Sequence, residues 1–178
     1  LSLYPAGYYT RQIPVQASVT WPAGWKAAGA LRGTGNGPTI SYEATDYETL
    51  LDSPMFAGKY GRSIDLGSRV ALNVVADSAA ELVTTPEQVA AHKKLVAEAA
   101  ALFGARHFDH YDFLLAITDE MGGIGLEHHR SSENGVDTGY FTKWADGPGD
   151  RNLLPHEYVH SWNGKFRRPE LLWTPDYQ

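Results

Sequence analysis

The run His156-Glu157-Tyr158-Val159-His160 constrains this chain more than any other segment, because its chemistry works only on a helix. On an α-helix, residues i and i+4 differ by about 40° around the axis, so both imidazoles leave from one face. Two neutral imidazoles held that way can fill two corners of a tetrahedral Zn²⁺ site. Glu157, beside the first histidine, can then take the proton of a water activated by the metal. The flanking residues agree with a helix. Leu153 and Leu154 supply an apolar face, and Pro155 is tolerated within the first turn, where its missing N–H loses no partner. Asp150 or Asn152 is the expected N-cap, and Gly164 suits the left-handed position that ends a helix. The spacing predicts a helix of about three turns. The bland alternative is two polar residues on a solvated face. A start signal, a stop signal and a glutamate in register favour His156 and His160 as metal ligands, with Glu157 as the catalytic base.

A catalytic zinc needs three protein ligands and one open position. The extended pattern with a glycine three residues on and a histidine three beyond is absent, since those positions hold Asn163 and Phe166. The carboxylates left in the tail are Glu170 and Asp176. Glu170 follows Pro169 directly and lies too near the motif helix to fit easily. The expectation is a chain cut before its third ligand, which leaves the activity of the chain by itself open.

A second constellation, Gly122-Gly123-Ile124-Gly125-Leu126-Glu127-His128-His129, precedes the motif. Glycines before a short polar strand let another backbone approach closely. An edge strand of that kind can bind an extended peptide by strand addition. Gly125 and Leu126 would then touch substrate, and the carboxylate of Glu127 would grip a free ammonium group. Two rivals stand beside this: a glycine hairpin with surface histidines, and a second metal site made by Glu127, His128 and His129.

Together the two constellations resemble the glycyl aminopeptidases, zinc metallopeptidases of the thermolysin-like (gluzincin) clan. Further matching stretches are Leu51-Asp52-Ser53-Pro54, Leu102-Phe103-Gly104, His110-Tyr111-Asp112-Phe113 and Arg167-Arg168-Pro169. The resemblance implies that His156 and His160 bind zinc, that Glu157 is the general base, and that Glu127 reads the substrate α-amine. It further implies small first residues such as glycine or alanine in the substrate, and a third ligand, a glutamate, on a later helix. The rival functions are an inactive folded fragment and a zinc endopeptidase in which Glu127 is structural.

With 178 residues, 43% hydrophobic and 20% charged, the chain has the composition of an ordinary globular protein. Its net charge of −6 argues against nucleic-acid or anionic-membrane surfaces, which reward basic patches. No apolar run is long enough for a membrane span, which points to a soluble protein without choosing between periplasm and cytoplasm. The absence of cysteine excludes disulfides and thiolate ligands.

Residues 1 to about 42 read as β structure, with Ile13, Val15, Ala17 and Val19 alternating onto one face and Gly33 to Pro38 forming a hairpin turn. A helix is expected over Thr45 to Asp52, a strand over Val70 to Ala76, and a well-signalled helix from Thr85-Pro86-Glu87-Gln88 to Gly104. His92 is expected on the solvated face of that helix. Tyr111 to Ile117 reads as a buried strand, with Asp109, His110 and Asp112 as polar residues at its entrance. Tyr140, Phe141 and Trp144 are either pocket wall or core under a loop. By resemblance the fold class is α+β, with the end of an N-terminal β domain (1–44) leading into the first half of a thermolysin-like domain (45–178).

Overall fold

A computed structural model describes residues 3–147 and 149–172, and for Asp150 the backbone alone. Asp176, the other carboxylate of the tail, lies outside the described residues. The first third of the chain is β-rich. Short strands β1 (Pro14–Val15), β2 (Ser18–Thr20), β3 (Lys26–Gly29), β4 (Gly33–Thr34), β5 (Thr39–Tyr42) and β6 (Thr45–Asp46) form small antiparallel pairings. The alternation from Ile13 to Val19 is observed as alternating burial, and β4 and β5 pair antiparallel as the hairpin.

The helix expected from Thr45 begins later. Thr45 and Asp46 pair as a strand with Val15 and Pro14, and α1 spans only Tyr47–Leu51. The reason is local: Asp46 is extended, and its carboxylate accepts the Thr49 amide at 2.9 Å, which makes it the cap rather than a helical residue. A strand β7 (Met55–Gly58) follows and pairs with β3.

The sheet that carries the site contains β8 (Tyr60–Gly67), β9 (Val70–Ala76), β10 (Tyr111–Ile117), β11 (Ile124–Glu127) and β12 (Ser131–Val136). Their spatial order is β11-β12-β10-β9-β8, with β10 parallel to both neighbours and the two outer strands antiparallel. All seven residues of β10 are buried, as a central parallel strand covered on both faces requires. Helix α2 (Pro86–Phe103) makes the crossover between the parallel strands β9 and β10. It starts on the capping box of Thr85 and Gln88 and ends at Gly104, whose φ of +64° is left-handed. Val96 and Ala99 of α2 join Leu72, Val74, Phe113 and Leu115 in the core.

His92 is not on a solvated face. It is 5% exposed, its Nδ1–H donates to the Gln88 carbonyl at 2.7 Å, and its Nε2 accepts from the Tyr140 hydroxyl at 3.0 Å. Burial pushes its pKa down, against the Gln88 hydrogen bond and with help from the Arg151 charge, which favours a neutral ring. The segment after β12 causes this: Tyr140 and Phe141 are buried core residues that cover the polar side of α2. At the entrance of β10, Asp112 accepts from Arg32 (2.9 Å), Asn73 (3.0 Å) and His110 (3.0 Å), a cluster that ties the N-terminal strands to the sheet.

Candidate active site

Helix α3 (Leu153–His160) presents two faces of opposite character. Leu154, Tyr158, Ser161 and Trp162 form the inward stripe at helical spacing and are 8% exposed or less. The Tyr158 ring meets Tyr111 at 4.8 Å, Phe113 at 5.1 Å and Trp162 at 5.1 Å between centroids. Trp162 Nε1–H donates to the Ala105 carbonyl at 2.8 Å. His156 and His160 leave from the other side. The helix is shorter than about three turns, because a 3₁₀ turn over Asp150–Asn152 runs straight into it. Asn152 has helical φ and ψ and its side chain makes no cap bond, so the expected capping by that residue does not occur. Gly164 adopts φ +124° and its amide donates to Arg167 O, which turns the chain after the helix.

The Nε2 atoms of His156 and His160 stand 3.3 Å apart. Two nitrogens at about 2.0–2.1 Å from one tetrahedral zinc are separated by about 3.3–3.4 Å, so the pair fits that ion. His160 Nδ1–H donates to the Asn163 carbonyl at 3.0 Å, which leaves its Nε2 lone pair free for a metal. His156, His160 and Glu157 offer ligand atoms that all lie within 4.8 Å of one another. They are the one group of this kind that could hold a metal ion among the described residues. Glu170 sits exposed in a 3₁₀ turn and takes no part in it.

Glu157 itself is 4% exposed, with Oε1 3.9 Å from His156 Nε2. Burial pushes its carboxyl upward. His156, His160 and His128 oppose that push, and the Glu127 charge reinforces it.

Strand β11 lies directly over this carboxylate. A Cβ built on Gly125 would overlap Glu157 Oε1, and would stand 2.7 Å from Leu153 Cδ1 and 2.9 Å from Glu157 Cδ. Only a glycine lets the strand come this close. Gly125→Ala should therefore displace either the strand or the Glu157 side chain. In the full-length protein, kcat/KM should fall by about 10–100-fold with bound metal unchanged, as metal analysis and steady-state kinetics would show.

Beyond Gly125, Leu126 is 43% exposed and Glu127 half-buried, and the Glu127 carboxylate has no ion pair or hydrogen bond among the described residues. The strand occupies the edge of the sheet, with β12 on one side and no strand on the other among the described residues. His128 and His129, by contrast, are engaged with Asp52. His128 Nδ1 lies 3.1 Å from Asp52 Oδ1, and His129 Nδ1 lies 2.6 Å from Asp52 Oδ2. They group with that carboxylate and not with Glu127, so the second metal site is not formed.

The fold is that of aminopeptidase N relatives. An aminopeptidase N family protein from Idiomarina loihiensis superposes with a TM-score of 0.70 at 21% identity, over 94% of this chain and 30% of that one. Native leukotriene A4 hydrolase from Saccharomyces cerevisiae gives 0.51 at 15% identity, over 87% of this chain and 23% of its own. The yeast LTA4 hydrolase in complex with bestatin gives 0.52 at 16%, over 88% and 24%. The chain thus spans under a third of these neighbours and has the α+β architecture expected of it. In sequence, residues 1–59 match the peptidase M61 N-terminal domain and residues 150–178 match the M61 glycyl aminopeptidases. Both ends of the chain are therefore similar to that family, as the motifs imply. No curated protein matches the chain.

Proposed function

We propose that this chain carries the amine-reading strand, the general base and two zinc ligands of a metallo-aminopeptidase. Such an enzyme removes small residues, glycine or alanine, from peptides with a free N-terminus. The observation that supports the reading is the approach of Gly125 to Glu157, since it sets the edge strand β11 and the helix that bears His156 and His160 in contact. Residues 1–44 would close an N-terminal β domain and residues 45–178 would begin the catalytic one. A third protein ligand would come from outside the described residues.

His156 and His160 would hold the metal through Nε2. When bound, Zn²⁺ supplies Lewis acidity that polarises a carbonyl and acidifies water. Glu157 accepts a proton from the attacking water and returns it to the leaving amine. A peptide laid along β11 gains backbone hydrogen bonds from the strand edge. Glu127 binds its terminal ammonium, so the first peptide bond, and no later one, reaches Glu157.

The test uses the full-length protein. Chelation should remove activity on an alanyl or glycyl substrate, and Zn²⁺ should restore it. His160→Ala should lower the bound metal by far more than the 10–100-fold affinity loss typical of a lost outer partner. Full metal content in His160→Ala would exclude this site.

A further inference from the structure

Asp52 is distant in sequence from the candidate site, yet it organises the corner that follows Glu127. It closes α1 and is largely buried, with 18% of its side chain exposed. Oδ1 faces His128 Nδ1 at 3.1 Å and Lys165 Nζ at 3.3 Å. Oδ2 accepts the His129 backbone amide at 2.9 Å and faces His129 Nδ1 at 2.6 Å. Both carboxylate oxygens are therefore committed to the two residues directly after Glu127 and to the loop after α3.

His128 extends the arrangement. Its other nitrogen, Nε2, lies 3.1 Å from Glu133 Oε1 on β12, the strand paired with β11. An imidazole whose two nitrogens both face carboxylates donates to both only when it is charged. The residue is 6% exposed. Burial disfavours its charge, but the bonds to Asp52 and Glu133 outweigh that, and its pKa is raised despite a small opposing effect of Lys165. For Asp52, burial acts upward and is overcome by His128, His129 and Lys165, which hold the carboxyl far below its ordinary range. The titratable and charged groups that face this corner are thus Asp52, Glu133, Lys165 and His129, with Glu127 and Glu157 beyond them.

We propose that Asp52 is a positioning residue for amine recognition: through His128 and His129 it fixes the corner behind Glu127, so that the Glu127 carboxylate stands ready for a free N-terminus. The inference rests on the aminopeptidase reading. An ammonium bound by one carboxylate is sensitive to that carboxylate's placement, and an error of about 1 Å can cost about 10²-fold in rate.

Asp52→Asn keeps the shape but offers the imidazolium a neutral amide. In the full-length, zinc-loaded enzyme it should lower the preference for alanyl over N-acetyl-alanyl substrate by about 10-fold or more. Alaninamide, as a free-amine probe, should bind correspondingly more weakly, while zinc content stays at one per site. Histidine NMR should show the His128 titration falling toward the ordinary imidazole range. Should Asp52→Asn fail to fold, His129→Ala removes one contact from a ring that is 39% exposed, and should weaken alaninamide binding by about 3-fold. Unchanged preference and unchanged alaninamide affinity in the folded variant would overturn the proposal alone. A wild-type enzyme with no preference for free amines would overturn it together with the aminopeptidase reading.

Discussion

Glu157→Gln in the full-length, zinc-loaded protein should lower kcat by about 10²–10⁴-fold, the range that a positioned general base contributes. The residue is 4% exposed, and its carboxylate sits between the face of α3 that bears His156 and His160 and the β11 backbone, so it has little freedom to be replaced by solvent. Burial, with the neighbouring Glu127 charge, biases its carboxyl toward holding a proton, which suits a group that must accept and then return one. Glutamine has the same shape and fits beneath Gly125, and the two imidazoles are untouched. Metal content should therefore stay at the wild-type level while hydrolysis of every peptide falls. A variant that loses metal along with activity would show that Glu157 holds the site together instead of doing its chemistry.

Glu127→Gln should act differently. The carboxylate has no partner among the described residues, so its charge is available to a ligand. A hydrogen bond to a charged group contributes roughly 1.5–3 kcal/mol, so kcat/KM for alanyl or glycyl substrates should fall by about 10–150-fold. The loss should be confined to substrates with a free amine, and bound metal should be unchanged. Steady-state kinetics on paired free and N-acetylated peptides would check this. Equal losses on both members of the pair would assign Glu127 a structural role.

Much of the site is legible in the sequence because its signals are local. The H-E-x-x-H spacing and the apolar pair Leu153 and Leu154 prescribe a helix with two faces, and α3 has them, although the inward places of Tyr158 and Trp162 are seen only in the fold. Thr85-Pro86-Glu87-Gln88 and Gly104 set both ends of α2, since capping depends on residues a few positions apart. The glycine at 125 signals close approach, although only the fold shows that the approaching group is Glu157. What was not legible depends on distant partners. His92 reads as a surface residue because the Tyr140 hydroxyl that satisfies it comes from 48 residues further on. Asp52 gives no chemical signal of its own, because its partners lie 76, 77 and 113 residues away. Asp46 reads as helical, whereas its side chain bonds the helix start, a local side-chain bond that competes with helical structure.

The most direct measurement is the ratio of hydrolysis rates for an alanyl or glycyl peptide and its N-acetylated form with the full-length, zinc-loaded wild-type protein. Acetylation removes the ammonium that Glu127 would bind and leaves the rest of the substrate intact. The account predicts a preference for the free amine of about 10–150-fold, the size of the charged hydrogen bond at stake. Equal rates on the two peptides would contradict it and favour the endopeptidase reading.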